Sequence, residues 1–140
     1  MSTPQKRNTI QRKLVLDAVS SMHDHPTAED VYQKIIQTHK SISRGTVYRN
    51  LNLLVEDGYI SKVSLYDGAD RFDYRLNRHN HIKCSECEQL FDAPAASNSA
   101  LEELILLNKK MAETSDFEIL GYEIVFSGIC PECRKKAAKN

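Results

Sequence analysis

The densest chemistry in this chain lies in His79-Asn80-His81-Ile82-Lys83-Cys84-Ser85-Glu86-Cys87, closing at Asp92. Two imidazoles, two thiols and a carboxylate fall within fourteen residues. A second Cys-x-x-Cys, Cys130-Pro131-Glu132-Cys133, stands near the end, so the four cysteines form two matched pairs. Each two-residue spacer lets both sulfurs reach one ion at about 2.3 Å, and two such pairs complete the tetrahedron of a structural zinc site. Buried reduced thiols or a disulfide pair are the plainer readings of the same four residues. His79, His81 and Asp92 are surplus to that tetrahedron. Their nitrogen and oxygen donors suit a second, less thiophilic divalent ion such as iron(II), manganese(II) or zinc. The pattern predicts two metals of different character, one holding the fold and one reporting a state.

The elements that must position these groups are bounded by a length of 140 residues, which allows one average domain or two small ones. The formal charge is zero but unevenly spread. Residues 1–66 carry nine Lys/Arg against six Asp/Glu, a balance of +3, and residues 67–140 carry ten against thirteen, a balance of −3. The basic half is a candidate nucleic-acid face and the acidic half a candidate cation site. No apolar run approaches the roughly 18 residues of a membrane span, and the start of the chain has no apolar signal core. The expected compartment is the cytoplasm, where paired cysteines more often bind metal than form disulfides.

Residues 1–8 are polar and read as a flexible basic lead-in, with Thr9 capping a first helix that buries Ile10, Leu14, Val15, Ala18, Val19 and Met22. Pro26 interrupts it, and Thr27 caps a second helix with Glu29 and Asp30 in its first turn. A third helix starts after Ser43, buries Val47, Leu51, Leu54 and Val55, and ends at Gly58. Its opposite side presents Arg44, Thr46, Tyr48, Arg49 and Asn52, the guanidinium, hydroxyl, amide and aromatic groups that contact phosphates and base edges. An ordinary solvated face is the plainer reading of those five. Residues 59–65 and 71–76 alternate like strands around an Asp67-Gly68 turn. Three helices and a hairpin are the order of a winged helix-turn-helix, whose third helix enters the major groove.

A polar hinge at 77–81 leads to a second domain, so the expected division is 1–77 and 78–140. Strands are expected between Ile82 and Phe91, around the first thiol knuckle. Residues 94–98 read as a short loop. Ser99 and Glu102 then form a capping box opening a helix to about Ala112, with Leu101, Leu104, Ile105 and Met111 buried. Residues 117–126 read as a strand, and Gly128 returns the chain to the second knuckle.

Five motifs in this order, followed by the terminal Cys-x-x-Cys, make the chain resemble the ferric uptake regulator family of metal-dependent transcription factors. They are Thr9-x-Gln11-Arg12, His25-Pro26-Thr27-Ala28-Glu29-Asp30-Val31-Tyr32, Thr46-Val47-Tyr48-Arg49-Asn50-Leu51, Arg71-Phe72-Asp73 and His79-x-His81-x-x-Cys84-x-x-Cys87. The resemblance implies an α+β homodimer that represses at a double-stranded DNA operator, with an N-terminal winged helix and a C-terminal α/β dimerisation domain. It also implies a regulatory metal held by His25, Asp73, His79, His81 and Asp92. Iron-uptake members usually carry Glu at the positions of Asp73 and Asp92, whereas the peroxide-sensing branch carries Asp, as this chain does. The branch implies iron(II) or manganese(II) in that site, and oxidation of His25 or His79 when iron meets peroxide. Iron-, zinc- and manganese-uptake members are the alternatives within the family. A metallohydrolase or a zinc adaptor that binds only protein are the alternatives outside it.

Three departures stand out. Arg78 and Asn80 replace His and Asp ligands of an additional metal site found in some members, and Gly121-Tyr122-Glu123 lacks the histidine such sites use, so no third site is expected. Glu88 follows Cys87 where the family usually has Gly, which predicts a less easily formed turn.

Overall fold

Thr27 and Ser43 each open a helix, and the two helices they start define the first unit of the protein. The structure, a computed structural model, describes residues 4–66, 68–76, 79–94 and 97–139. It divides into two units, Met1–Asn77 and Arg78–Asn140. The first holds α1 (Pro4–Ser21), α2 (Ala28–Ile36), α3 (Arg44–Glu56), β1 (Ser61–Val63) and β2 (Arg71–Asp73). The expected Asp67, Asn77 and Arg78, and the Ala95-Ala96 centre of the expected loop, lie outside the described residues.

The Thr9 cap and the lead-in from residue 4 onward are overturned, residues 1–3 lying outside the described residues: α1 already runs from Pro4, with Thr9 inside it. Proline suits a first helical turn, where its fixed φ fits and its missing N–H would have had no partner. Ile10, expected in the core, is 52% exposed. At α2, the Thr27 hydroxyl accepts from the Asp30 N–H at 3.1 Å while the Asp30 carboxylate accepts from the Thr27 N–H at 3.0 Å. This reciprocal capping box satisfies two donors that the helix itself leaves over. At α3, the Ser43 hydroxyl accepts from the Thr46 N–H at 3.1 Å. The helix stops where Gly58 takes a φ of 78°. The Gly58 N–H reaches the Val55 carbonyl and the Tyr59 N–H the Leu54 carbonyl, the paired bonds of a Schellman end.

The three helices enclose Val15, Val19, Val31, Ile35, Val47, Leu51 and Leu54, and the ribbon closes the core with Ile60 and Phe72. Leu51 and Leu54 are wholly buried and each contributes on the order of 2 kcal/mol by leaving water. Both ribbon strands are shorter than their alternation suggests, pairing Ser61 with Asp73 and Val63 with Arg71. Tyr59 is committed to the helix end. Beyond Asp73 the chain turns, because the Asp73 carboxylate captures the Arg75 N–H at 2.9 Å. The result is a winged helix-turn-helix.

The second unit holds β3 (His81–Cys84), β4 (Leu90–Asp92), α4 (Asn98–Ser115), β5 (Val125–Gly128) and α5 (Pro131–Ala138). Its sheet has the order β4-β3-β5, with β3 antiparallel to β4 and parallel to β5. Of the strand expected over 117–126 only Val125 and Phe126 are in β5, which runs on to Gly128, because the four residues of β3 pair with Val125 through Gly128. The cap of α4 is Ser97, which accepts from the Ala100 N–H at 3.3 Å, and the expected Ser99 cap lies inside the first turn. The helix continues past Ala112 to Ser115. Of its expected buried face only Leu104 is half-buried, while in the single chain Leu101 is 41%, Ile105 63% and Met111 52% exposed. No described helix is long and apolar enough to cross a membrane.

Between β3 and β4 the chain reverses at the first thiol knuckle. Glu88 takes a φ of 63° there, and its N–H closes the turn on the Cys84 carbonyl at 2.9 Å. The turn needs a left-handed residue, and a side chain with a Cβ supplies it at a cost of roughly 1–2 kcal/mol. Glu88→Gly is expected to stabilise the second unit by about 1 kcal/mol, read as a higher denaturant midpoint. An unchanged or lower midpoint would show that the Glu88 side chain stabilises the turn more than its backbone strains it.

Candidate metal centres and nucleic-acid interface

All four cysteines come together in the second unit. Cys84 ends β3, Cys87 sits in the turn, Cys130 is the N-cap of α5 and Cys133 lies in its first turn. Pro131 at the first helical position pre-sets the backbone that carries the second pair. One sulfur from each residue lies within 4.8 Å of the others, and all four are free of disulfides. Cys87 Sγ and Cys130 Sγ are 3.9 Å apart. The Cys84 thiol is drawn down to about 6 by the backbone N–H groups of Cys87 and Cys130, which favour its thiolate. Cys133 is pushed up to about 12, chiefly by sharing a proton with the Cys130 sulfur and then by burial. Four crowded sulfurs thus resist ionising together, and a divalent cation at their centre relieves that resistance. The donor set fits zinc held by four thiolates.

The remaining candidate ligands fall in two groups, one in each unit. In the first unit, His25 and Asp73 are 4% and 3% exposed, with His25 Nε2 3.3 Å from Asp73 Oδ2. His25 takes a φ of 55°, a left-handed backbone before Pro26 that a β-carbon disfavours. Two bonds from β2 hold it there. Arg71 donates a guanidinium N–H to the His25 carbonyl at 3.1 Å, and the Phe72 N–H reaches the Pro26 carbonyl at 2.9 Å. Burial raises the Asp73 carboxyl, but the His25 imidazole, the Arg75 N–H and the Arg75 charge outweigh it. Together they hold it well below the usual carboxylate range.

In the second unit, the β3–β4 register sets His81 directly opposite Asp92. His79, two residues earlier, shares its face, since alternate residues of extended chain point the same way. Asp92 Oδ1 lies 3.1 Å from His79 Nε2 and 3.5 Å from His81 Nε2, and the two rings are 4.5 Å apart. Two imidazoles and a carboxylate converge there, a donor set suited to iron(II), manganese(II) or zinc.

The predicted DNA-contacting residues divide by their partners. Arg49 and Asn52 are exposed on α3. Thr46 is engaged with the Ser43 hydroxyl at 2.9 Å. Arg44 and Tyr48 both bind one carboxylate on α2, that of Glu29. Arg44 donates from Nε and Nη2 at 3.0 and 3.1 Å, and the Tyr48 hydroxyl donates at 3.1 Å. Sequence reasoning read Glu29 only as an acid complementing its helix dipole, because no periodicity links a residue on α2 to one fifteen positions on. It also missed Asn50, whose buried amide donates to the Thr46 carbonyl at 2.8 Å and stiffens the same turn of α3.

Comparison with known proteins agrees with this geometry. The model of the ferric uptake regulator family matches residues 4–126, a stretch that ends before the second Cys-x-x-Cys. The peroxide-responsive repressor PerR of Staphylococcus aureus is 30% identical over 130 residues, 93% of this chain and 84% of that protein. Among solved structures, the Helicobacter pylori ferric uptake regulator Fur superposes with a TM-score of 0.72 at 23% identity, over 89% of this chain and 80% of that one. The Campylobacter jejuni peroxide stress regulator superposes with a TM-score of 0.66 at 24% identity, over 91% of both chains. At those identities the solved structures establish the fold, while the family model and the repressor reach the family itself. With its winged helix, its four-cysteine cluster and its His/Asp groups, this chain belongs to the ferric uptake regulator family of metal-responsive transcriptional regulators, which are not enzymes.

Proposed function

We propose that this protein is a cytoplasmic, homodimeric repressor that binds operator DNA when a divalent metal is in place and releases it on exposure to peroxide. The observation that carries the reading is the pair of short carboxylates, Asp73 beside His25 and Asp92 beside His79 and His81. The similarity to a peroxide-responsive repressor supports the same branch. Zinc is the ion of the four cysteines, and one iron(II) or manganese(II) takes His25, Asp73, His79, His81 and Asp92 as ligands. Iron(II) held there supplies the chemistry by which peroxide oxidises a ligand imidazole. The protein's part is to fix the imidazoles: β2 clamps the backbone of His25, and the β3–β4 register fixes His81 against Asp92. The exposed apolar side chains of α4 supply the dimer contact. α3 reads the major groove, with Arg49 as its exposed cation and Tyr48 as its aromatic contact.

Loss of one thiolate should be severe, since a structural zinc contributes on the order of 10 kcal/mol in small modules. Cys84→Ser and Cys130→Ser are expected to release zinc and dissociate the dimer, measured by metal analysis and sedimentation. A stable zinc-free dimer in either variant would contradict the assignment. Arg49→Ala is expected to weaken DNA binding and to shrink the salt slope by about 1 per protomer if it neutralises a phosphate. Unchanged affinity for both Arg49→Ala and Tyr48→Ala would mean that another element reads the DNA.

The peroxide reading separates from iron uptake in one experiment. Iron-loaded protein is expected to lose DNA binding after low peroxide, with one oxygen atom added to the His25 or His79 peptide by mass spectrometry, while manganese-loaded protein keeps both. Asp92→Glu should preserve metal-dependent binding and blunt the oxidation. Iron-loaded wild type that retains its histidines and its DNA under peroxide would return the protein to the iron-uptake branch.

A further inference from the structure

Glu29 is a carboxylate inside a surface meant for polyanionic DNA, and its bonds explain why it is there. A carboxylate offers about four lone-pair sites. Here all four are filled: Oε1 accepts from Gln33 at 2.9 Å and Arg44 Nη2 at 3.1 Å, and Oε2 accepts from Arg44 Nε at 3.0 Å and the Tyr48 hydroxyl at 3.1 Å. No acceptor capacity remains for a base. The Arg44 guanidinium is fixed from a second side, packed on the Tyr32 ring at 4.4 Å. Donation by Arg44, then by Gln33, holds the Glu29 carboxyl down to about 2, so the arrangement persists across the pH range in which DNA is bound.

The consequence falls on Tyr48. A phenol has one proton, and this one is committed to Glu29, which leaves only oxygen lone pairs to meet a ligand. Phosphate oxygens are acceptors and gain nothing from such a group. Major-groove donors are few: the adenine N6 and cytosine N4 amines. The inference rests on the DNA-binding reading of α3. We propose that Tyr48 recognises an exocyclic amine of adenine or cytosine as a hydrogen-bond acceptor, with Glu29 and Arg44 as positioning residues that fix the direction of its hydroxyl. Arg44 is then part of the support, its charge spent on Glu29, and Arg49 is left to neutralise phosphate.

The test uses the full zinc-replete chain loaded with manganese(II) and a randomised duplex library, from which the preferred duplex is selected. That duplex is resynthesised with adenine or cytosine replaced, one position at a time, by analogues lacking the exocyclic amine. At one position per half-site, wild type is expected to lose about three- to tenfold in affinity, the worth of one hydrogen bond. Tyr48→Phe and Glu29→Ala should each be insensitive to the analogue at that position, and the double variant should lose no more selectivity than either alone. Arg44→Ala should weaken binding yet keep the wild-type salt slope. Both Glu29 and Tyr48 lie at the surface, and Tyr48→Phe removes only an oxygen, so the fold is not at issue. Wild-type binding with no Tyr48-dependent amine position overturns the inference alone, as does an Arg44→Ala slope smaller by about 1 per protomer. A wild type that enriches no duplex overturns the DNA-binding reading and this inference with it.

Discussion

The second unit depends on the ladder of β3, which pairs three residues with β4 and four with β5. Its first residue, His81, is set against Asp92 across the antiparallel edge, and its last, Cys84, is set against Gly128 across the parallel edge. One short strand therefore orders both donor sets of this unit. A shift by one residue would turn His81 and Cys84 to the wrong faces together, because alternation allows no intermediate register. Among the described residues of this unit few side chains are buried, namely Leu90, Cys84 and His81. With so little apolar area removed from water in the single chain, a metal held by the four thiolates would contribute what a larger core otherwise supplies.

The first unit is built on the opposite economy. Its helices bury a contiguous apolar core, and their ends are closed by side-chain caps and a left-handed glycine. That rigidity lets strained or charged groups persist at its edges. His25 keeps a left-handed backbone because β2 holds it by two hydrogen bonds. Glu29 keeps its charge because two donors from α3 and one from its own helix fill its oxygens. In both cases the local cost is met by neighbours that the core has already fixed.

Electrostatics across α3 are less basic than its composition suggests. Arg44 and Glu29 neutralise each other, so the net positive charge offered to a polyanion is smaller than a count of arginines implies. The same pairing gives direction to a hydroxyl that would otherwise rotate freely.

The sequence by itself determined the local devices and the ligand types. The caps at Thr27 and Ser43, the glycine stop at Gly58 and the paired cysteines follow from spacing, because each depends on groups within a few residues of one another. The unfavourable turn at Glu88 was legible for the same reason. Helix and strand limits were not. Pro4 starts α1 earlier than Thr9, Ser97 displaces Ser99, and β5 is as long as its partner strand permits. The burial of α4 was misjudged because apolar periodicity marks a face that seeks cover without saying which chain provides it. Only the tertiary structure decided the partners of Arg71 and Glu29: the His25 carbonyl for Arg71, and Arg44 and Tyr48 for Glu29. These contacts join residues on separate elements, and their distances depend on how helices and strands pack, which no local pattern encodes.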